Sequence, residues 1–192
     1  MYGKLLCVFS CFLVLFISTA FAGSLHTVDN FTLSDYNQKQ HSLTDYKDSK
    51  AIVLMFISTR CPVSNAYNDR MEKLYQEYSK KGVTLLGINA NSMEDIKEIK
   101  KHAGEKNLGF TILKDVNNVI ADKLNASVTP EIFVLNSEGE IRYHGRIDDS
   151  KNEDNVKSPD LKNALDELLA GKPVTTAKTK VFGCSIKRIE KK

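Results

Sequence analysis

Apolar residues in this chain fall into short unbroken runs and into runs spaced by three and four, and the two patterns alternate. Residues 51–57 form a continuous apolar run rich in β-branched and aromatic types, which predicts a strand buried on both faces. The run breaks at Ser58-Thr59-Arg60. Beyond Cys61-Pro62 the period changes: Met71, Leu74, Tyr75 and Tyr78 share one face of a helix predicted to run to about Lys80. Pro62 suits a first helical turn, where its missing N–H costs nothing. Lys81-Gly82 signals the helix end, and residues 83–89 predict a second buried strand. Ser92 with Asp95 three residues on predicts an N-terminal box. The helix after it turns Ile96, Ile99 and Ala103 inward and ends near Glu105.

Ahead of the core strand, Phe31-Thr32-Leu33, a polar turn at residues 34–37 and His41-Ser42-Leu43 predict a short hairpin. Residues 110–113 read as a strand and 117–124 as a short helix. Residues 131–135 and 140–144 read as strands joined through Asn136-Ser137-Glu138-Gly139. Residues 148–157 are charged and polar, and predict a mobile loop. Ser158-Pro159-Asp160 opens a last helix carrying Leu161, Ala164, Leu165, Leu168 and Leu169, closed by Gly171-Lys172-Pro173. No internal repeat is present. Strands alternating with helices and ending in a hairpin and a helix predict an α/β fold: a mixed central sheet with helices on both faces.

The first 22 residues follow a different logic. Lys4 precedes a largely apolar run, residues 5–17, and Ala20-Phe21-Ala22 is a small-x-small cleavage site, so residues 1–22 read as a secretory signal peptide cleaved after Ala22. The mature protein is then expected in a periplasmic or secreted location, with no stable membrane insertion. Residues 23–172 make one domain, and 173–192 a tail. Losing Lys4 takes the 27 basic residues to 26 against 24 acidic, a small positive excess with both signs interspersed. No basic stripe or aromatic ladder marks a nucleic-acid binder. The basic tail residues Lys178, Lys180, Lys187, Arg188, Lys191 and Lys192 read as a solvated terminus.

Cys7 and Cys11 leave with the leader, so the mature chain keeps Cys61 and Cys184. Cys61 stands where a central strand delivers it to a helix N-terminus. Free N–H groups and the helix dipole there favour a thiolate, and Arg60 is expected to add to that field. This position favours a reactive cysteine over an inert buried one.

With its elements in this order, the chain resembles the thioredoxin superfamily over roughly residues 30–170. The landmarks are Cys61 at the strand-to-helix turn and Thr129-Pro130 ahead of a strand, which resembles that superfamily's cis-proline loop. Cys61-Pro62-Val63, residues 87–91, Thr129-Pro130-Glu131, residues 143–149 and 183–187 together resemble the peroxiredoxin-like, AhpC/TSA-type redoxin branch found in exported proteins. The resemblance implies a three-layer thioredoxin-like fold and a site of Cys61, Cys184, Thr129 and Pro130. It implies no cofactor and no metal. Its partners would be protein or small-molecule disulfides and thiols, with an external reductant.

Several positions depart from the pattern. Thioredoxins use Cys-x-x-Cys, and the fourth place here is Ser64, so exchange within the motif is excluded. Peroxiredoxins carry Pro-x-x-x-Thr-x-x-Cys; against Cys61 the Thr place holds Ser58 and the Pro place Leu54. Thr129-Pro130 stands where they bring an arginine to the peroxide. These losses rank disulfide exchange above peroxide reduction. Cys184 is then the one intramolecular candidate to resolve an intermediate on Cys61, from a tail expected to dock on oxidation. A metal-binding or non-catalytic redox role, using the cysteines with His26, His41, His102 and His144, ranks third because no metal-site spacing supports it. Arg146, Asp148 and Asp149 are expected to pair at the surface.

Overall fold

The computed structural model describes residues 27–190. Strands β1 (Thr32–Asp35) and β2 (Gln40–Ser42) form the predicted hairpin. The buried runs become β3 (Ala51–Phe56), β4 (Val83–Asn89) and β5 (Thr111–Lys114), mutually parallel. A two-residue strand, β6 (Val128–Thr129), precedes β7 (Glu131–Asn136) and β8 (Ile141–Gly145), which are antiparallel to their neighbours. The main sheet has seven strands in the order β2-β1-β5-β4-β3-β7-β8, so β3, which leads into Cys61, is an inner strand.

Among the described residues, five α-helices accompany the sheet: α1 (Pro62–Asn65), α2 (Asn68–Tyr78), α3 (Ile96–Glu105), α4 (Val119–Lys123) and α5 (Asp160–Leu169). Alternation along β3 builds two cores. Ala51, Val53 and Met55 join Met71 and Tyr78 of α2, Ile99 of α3 and Leu161 and Leu165 of α5. Ile52, Leu54 and Phe56 join Phe31, Leu43 and the α4 residues Ile120 and Ala121. Every β3 side chain is therefore covered on its own face, each large one contributing about 1.5–3 kcal/mol of burial. This is the three-layer thioredoxin-like α/β arrangement.

Three local expectations change. The helix after Cys61 is not continuous: the Tyr67 N–H bonds back to Ser64 O, tightening the turn, and α2 starts afresh at Asn68. The buried Tyr67 ring, with its hydroxyl 2.9 Å from Asp148 Oδ1, sets the new direction. The cap of α3 is Asp95, whose Oδ1 accepts the Glu98 N–H at 2.8 Å; Ser92 lies outside the helix. Residues 148–157 form the predicted loop, exposed over 151–155, but its two ends are pinned. Asp148 is buried and paired with the buried Arg70 at 2.5 Å, and Arg70 also donates to the carbonyls of Ser150 and Lys151. Asp149 caps the N–H groups of Lys157 and Ser158. Arg146 turns to Asp160 at 2.7 Å rather than to either aspartate. The predicted signal peptide, residues 1–22, lies outside the described residues.

Candidate functional site

β3 ends at Phe56, and residues 57–60 carry the chain to Cys61, the N-cap of α1. A buried carboxylate shapes this turn. Glu94, on the segment after β4, accepts from Ser58 Oγ at 2.5 Å, Thr59 N at 2.8 Å and Asn89 Nδ2 at 2.5 Å. Ser58 Oγ in turn accepts the Cys61 N–H at 3.0 Å and the Arg60 N–H at 3.2 Å. The backbone of the cysteine is thus anchored through one hydroxyl to one carboxylate. The sequence reading missed Glu94, because a lone acidic residue in a polar loop carries no periodic or motif signal.

Cys61 is buried, 3% exposed, and its sulfur has neighbours on three sides. It accepts the Ser64 N–H at 3.3 Å. As a thiol it donates to the Thr129 carbonyl at 3.2 Å. The Thr129 hydroxyl is buried within reach of the sulfur without a hydrogen-bond partner of good geometry. On the third side stands Cys184, brought there by the pairing of its backbone with Thr129. The Thr129–Pro130 peptide bond is cis, the form the resemblance implies. All four predicted site residues, Cys61, Cys184, Thr129 and Pro130, therefore meet at one place. Cys61 and Cys184 line an open cleft of about 450 Å³ with Ser58, Arg60, Met93, Glu94 and Lys187 among its walls.

Burial pushes the Cys61 thiol up, but the Cys184 thiol, the Ser64 N–H, the Thr129 side chain and the Cys184 backbone outweigh it, leaving Cys61 below an ordinary thiol. Cys184 moves the other way, first because of Cys61 and then because of burial. The two titrate as a pair. Its singly ionised form places the negative charge on Cys61 and the proton on Cys184, the division a nucleophile and a resolving thiol require. Of the helpers expected there, the helix-start N–H acts through Ser64, while the dipole and Arg60 add little. With only four residues in α1, the dipole is small. Arg60 points outward into a two-point contact with Glu98, Nε at 2.8 Å and Nη2 at 2.5 Å. That contact, with Thr59, holds the Glu98 carboxyl down at about 2.

The tail differs from the expectation as well. Both cysteines are free thiols, yet the tail is docked. Strand β9 (Cys184–Ser185) pairs antiparallel with β6, setting Cys184 opposite Thr129. Ile186 is buried, Lys187 N–H bonds to Asn91 Oδ1 at 2.8 Å, and Arg188 Nε reaches Asp122 at 2.8 Å. These contacts are independent of a disulfide, so docking does not need one. They make the segment a built edge of the site, while its basic side chains Lys178, Lys180, Lys187 and Arg188 stay exposed, as expected.

β6 itself is held from behind by Glu131, whose Oε2 accepts the N–H groups of Ser127 at 2.7 Å and Val128 at 3.1 Å. Its other oxygen meets His144 Nε2 at 2.7 Å. His144, weighed from sequence only as a metal ligand, is thus a support of the Thr129 loop. His41 lies between Asp35 and Tyr46, and His102 against Asn68. His26 lies outside the described residues. Among the described residues, no three His, Cys, Asp or Glu side chains converge as a metal site.

The profile described as AhpC/TSA family matches residues 25–144. The thiol-disulfide oxidoreductase ResA of Geobacillus thermodenitrificans (strain NG80-2) is 29% identical over 116 residues, 60% of this chain. That alignment covers 65% of ResA, just under two thirds of its length. The chloroplastic peroxiredoxin Q of Oryza sativa subsp. japonica is 26% identical over 121 residues, 59% of this chain and 54% of that protein. The crystal structure of a hypothetical protein from Sinorhizobium meliloti 1021 superposes with a TM-score of 0.81 at 30% identity, covering 87% of this chain and 95% of that one.

Proposed function

The chain belongs to the AhpC/TSA family, and on that footing we propose that it is an exported thioredoxin-like thiol–disulfide oxidoreductase with Cys61 as nucleophile and Cys184 as resolving thiol. The Cys61 thiolate attacks one sulfur of a substrate disulfide. The substrate S–S bond breaks, and the departing sulfur leaves as a thiolate that takes up a proton. Cys184 then loses its proton and attacks Cys61 in the mixed disulfide, releasing the second substrate thiol. Two electrons pass to the substrate, and the enzyme is left with a Cys61–Cys184 disulfide. An external thiol or dithiol reductant returns it to the start.

The observation that carries this reading is the Cys184 thiol beside the Cys61 sulfur, on a strand already laddered to Thr129. The test is stoichiometric oxidation. Reduced protein mixed with one equivalent of hydroxyethyl disulfide should release both halves as thiol, and peptide mapping should recover Cys61 joined to Cys184. Recovery of Cys184 as a free thiol after full oxidation of Cys61 would overturn its assigned role. Export carries its own test: extracytoplasmic material should begin at Gly23, and an intact Met1 on such material would contradict it.

Peroxide reduction is the second reading, favoured by the likeness to peroxiredoxin Q. There the Cys61 thiolate would attack one peroxide oxygen, breaking the O–O bond and releasing the other oxygen as water or alcohol after protonation; Cys184 would then condense with the sulfenic acid and expel water. It ranks lower because Arg60, which lines the cleft, is engaged with Glu98, and Arg70 and Arg146 are held by Asp148 and Asp160. Oxidation of Cys61 by hydrogen peroxide faster than by hydroxyethyl disulfide would reverse the order.

A further inference from the structure

The main chain that touches the Cys61 sulfur from across the cleft is that of Thr129, on the two-residue strand β6. A peptide delivering its own disulfide to this sulfur would gain main-chain hydrogen bonds by lying along that edge. This is the general way an extended chain docks on an open strand. Here the edge is filled by the chain itself. Cys184 pairs with Thr129 and Ser185 with Val128, and the Ile186 N–H continues the ladder to Ser127 O at 3.0 Å.

The strand is seated, not laid on the surface. Ile186 is 5% exposed and packs in the core that contains Phe56 and Ile88. Lys187 exchanges hydrogen bonds with Asn91 and Ser92, both at 2.8 Å. Gly183 makes the approach sterically workable, because a Cβ there would lie 2.1 Å from the Thr129 oxygen. What stays open is the cleft of about 450 Å³ that both cysteines line, within the range of small-molecule sites, about 300–1,000 Å³.

We propose that residues 183–187 occupy the peptide-docking edge beside Cys61 as a resident strand, so that the substrates of the native protein are low-molecular-weight disulfides and not peptide or protein disulfides. This rests on the oxidoreductase reading above and uses the same balanced exchange. The disulfide enters through the cleft, one half is transferred to Cys61, and Cys184 resolves the product without leaving its ladder.

The test compares two probes in single-turnover stopped flow: hydroxyethyl disulfide, and the symmetric disulfide of an extended peptide with a central cysteine. The readout is the ratio of the two rates, in which any change in the Cys61 thiolate population cancels. The native protein should favour the small probe by at least about tenfold. Ile186→Ala, which loosens the seat of the strand, should narrow that ratio at least about tenfold. Gly183→Ala pushes the strand off Thr129 by contact alone and should narrow it likewise, which keeps the test valid if Ile186→Ala does not fold. Equal rates for both probes on the native protein would overturn the proposal. So would an unchanged ratio in the folded variants. Failure of both probes to oxidise native Cys61 would instead overturn the oxidoreductase reading on which it stands.

Discussion

Replacing Glu94 by glutamine removes a charge from beneath the Cys61 turn while keeping its shape. The carboxylate holds Ser58 Oγ and, at 3.4 Å, the Arg60 N–H through Oε1, and holds Thr59 N and Asn89 Nδ2 through Oε2. Glutamine offers one acceptor oxygen and sets its NH₂ against donors. In the less costly orientation it keeps Thr59 and Asn89 and leaves the Ser58 hydroxyl without an acceptor. A hydrogen bond to a charged group is worth about 1.5–3 kcal/mol, and the bonds that survive weaken as the charge is lost, so Glu94→Gln should cost about 2–4 kcal/mol. For a chain of this size, each kcal/mol lowers the melting temperature by about 2–4 °C, giving a drop of roughly 5–15 °C. The chemistry should move too, because Ser58 Oγ anchors the Cys61 N–H. Thermal unfolding paired with iodoacetamide labelling of Cys61 reads both effects. A variant that melts within about 1 °C of the parent, well under the fall expected for even one such bond, and labels at the parental rate would refute the reasoning.

Other consequences are equally specific. Cys184→Ala removes the thiol that does most to lower Cys61, so the labelling midpoint of Cys61 should rise towards an ordinary thiol, about 8.5; a downward shift would contradict the pairing. Glu98 sits at about 2 when folded against 4.5 ordinarily, so its stabilising share is complete above 4.5 and is lost as pH falls from there towards 2. Urea unfolding of Glu98→Gln should show a shallower acid decline in that window. The pair is partly solvated, so the effect at neutral pH should be at most about 1 kcal/mol. Asp148→Asn leaves the buried Arg70 without its counter-charge and should cost about 3–5 kcal/mol by urea titration, and an unchanged midpoint would mean that the pair does not hold residues 148–151 in place.

The parts of this architecture legible in the sequence are those in which a residue's neighbours along the chain determine its environment. The apolar run that becomes β3, the change of period after Cys61 and the hairpin through Asn136 and Gly139 all declare themselves within a few residues. So do Cys61 at a strand-to-helix junction and Thr129-Pro130 ahead of β7. The hidden parts are long-range pairings of charges. Nothing local distinguishes Glu94, which supports Ser58 across 36 positions, from Glu105, which is exposed at the end of α3. Arg60 looked like a helper of the thiolate because its partner Glu98 is 38 residues away. Asp148 looked like a loop residue until Arg70, 78 residues away, buried it. The tail has no periodicity since a two-residue strand needs none, and its place is set by Gly183, Ile186 and the Thr129 edge together.

In the proposed exchange Cys61 makes the first covalent bond and Cys184 breaks it. The most direct measurement is intact-mass and peptide analysis of Cys184→Ser after reaction with hydroxyethyl disulfide. The variant should stop at a mixed disulfide on Cys61, one hydroxyethylthio group per chain, releasing a single thiol where the parent releases two. An adduct found on Cys184 of the parent with Cys61 still reduced, or a Cys184→Ser variant that turns over like the parent, would contradict the account.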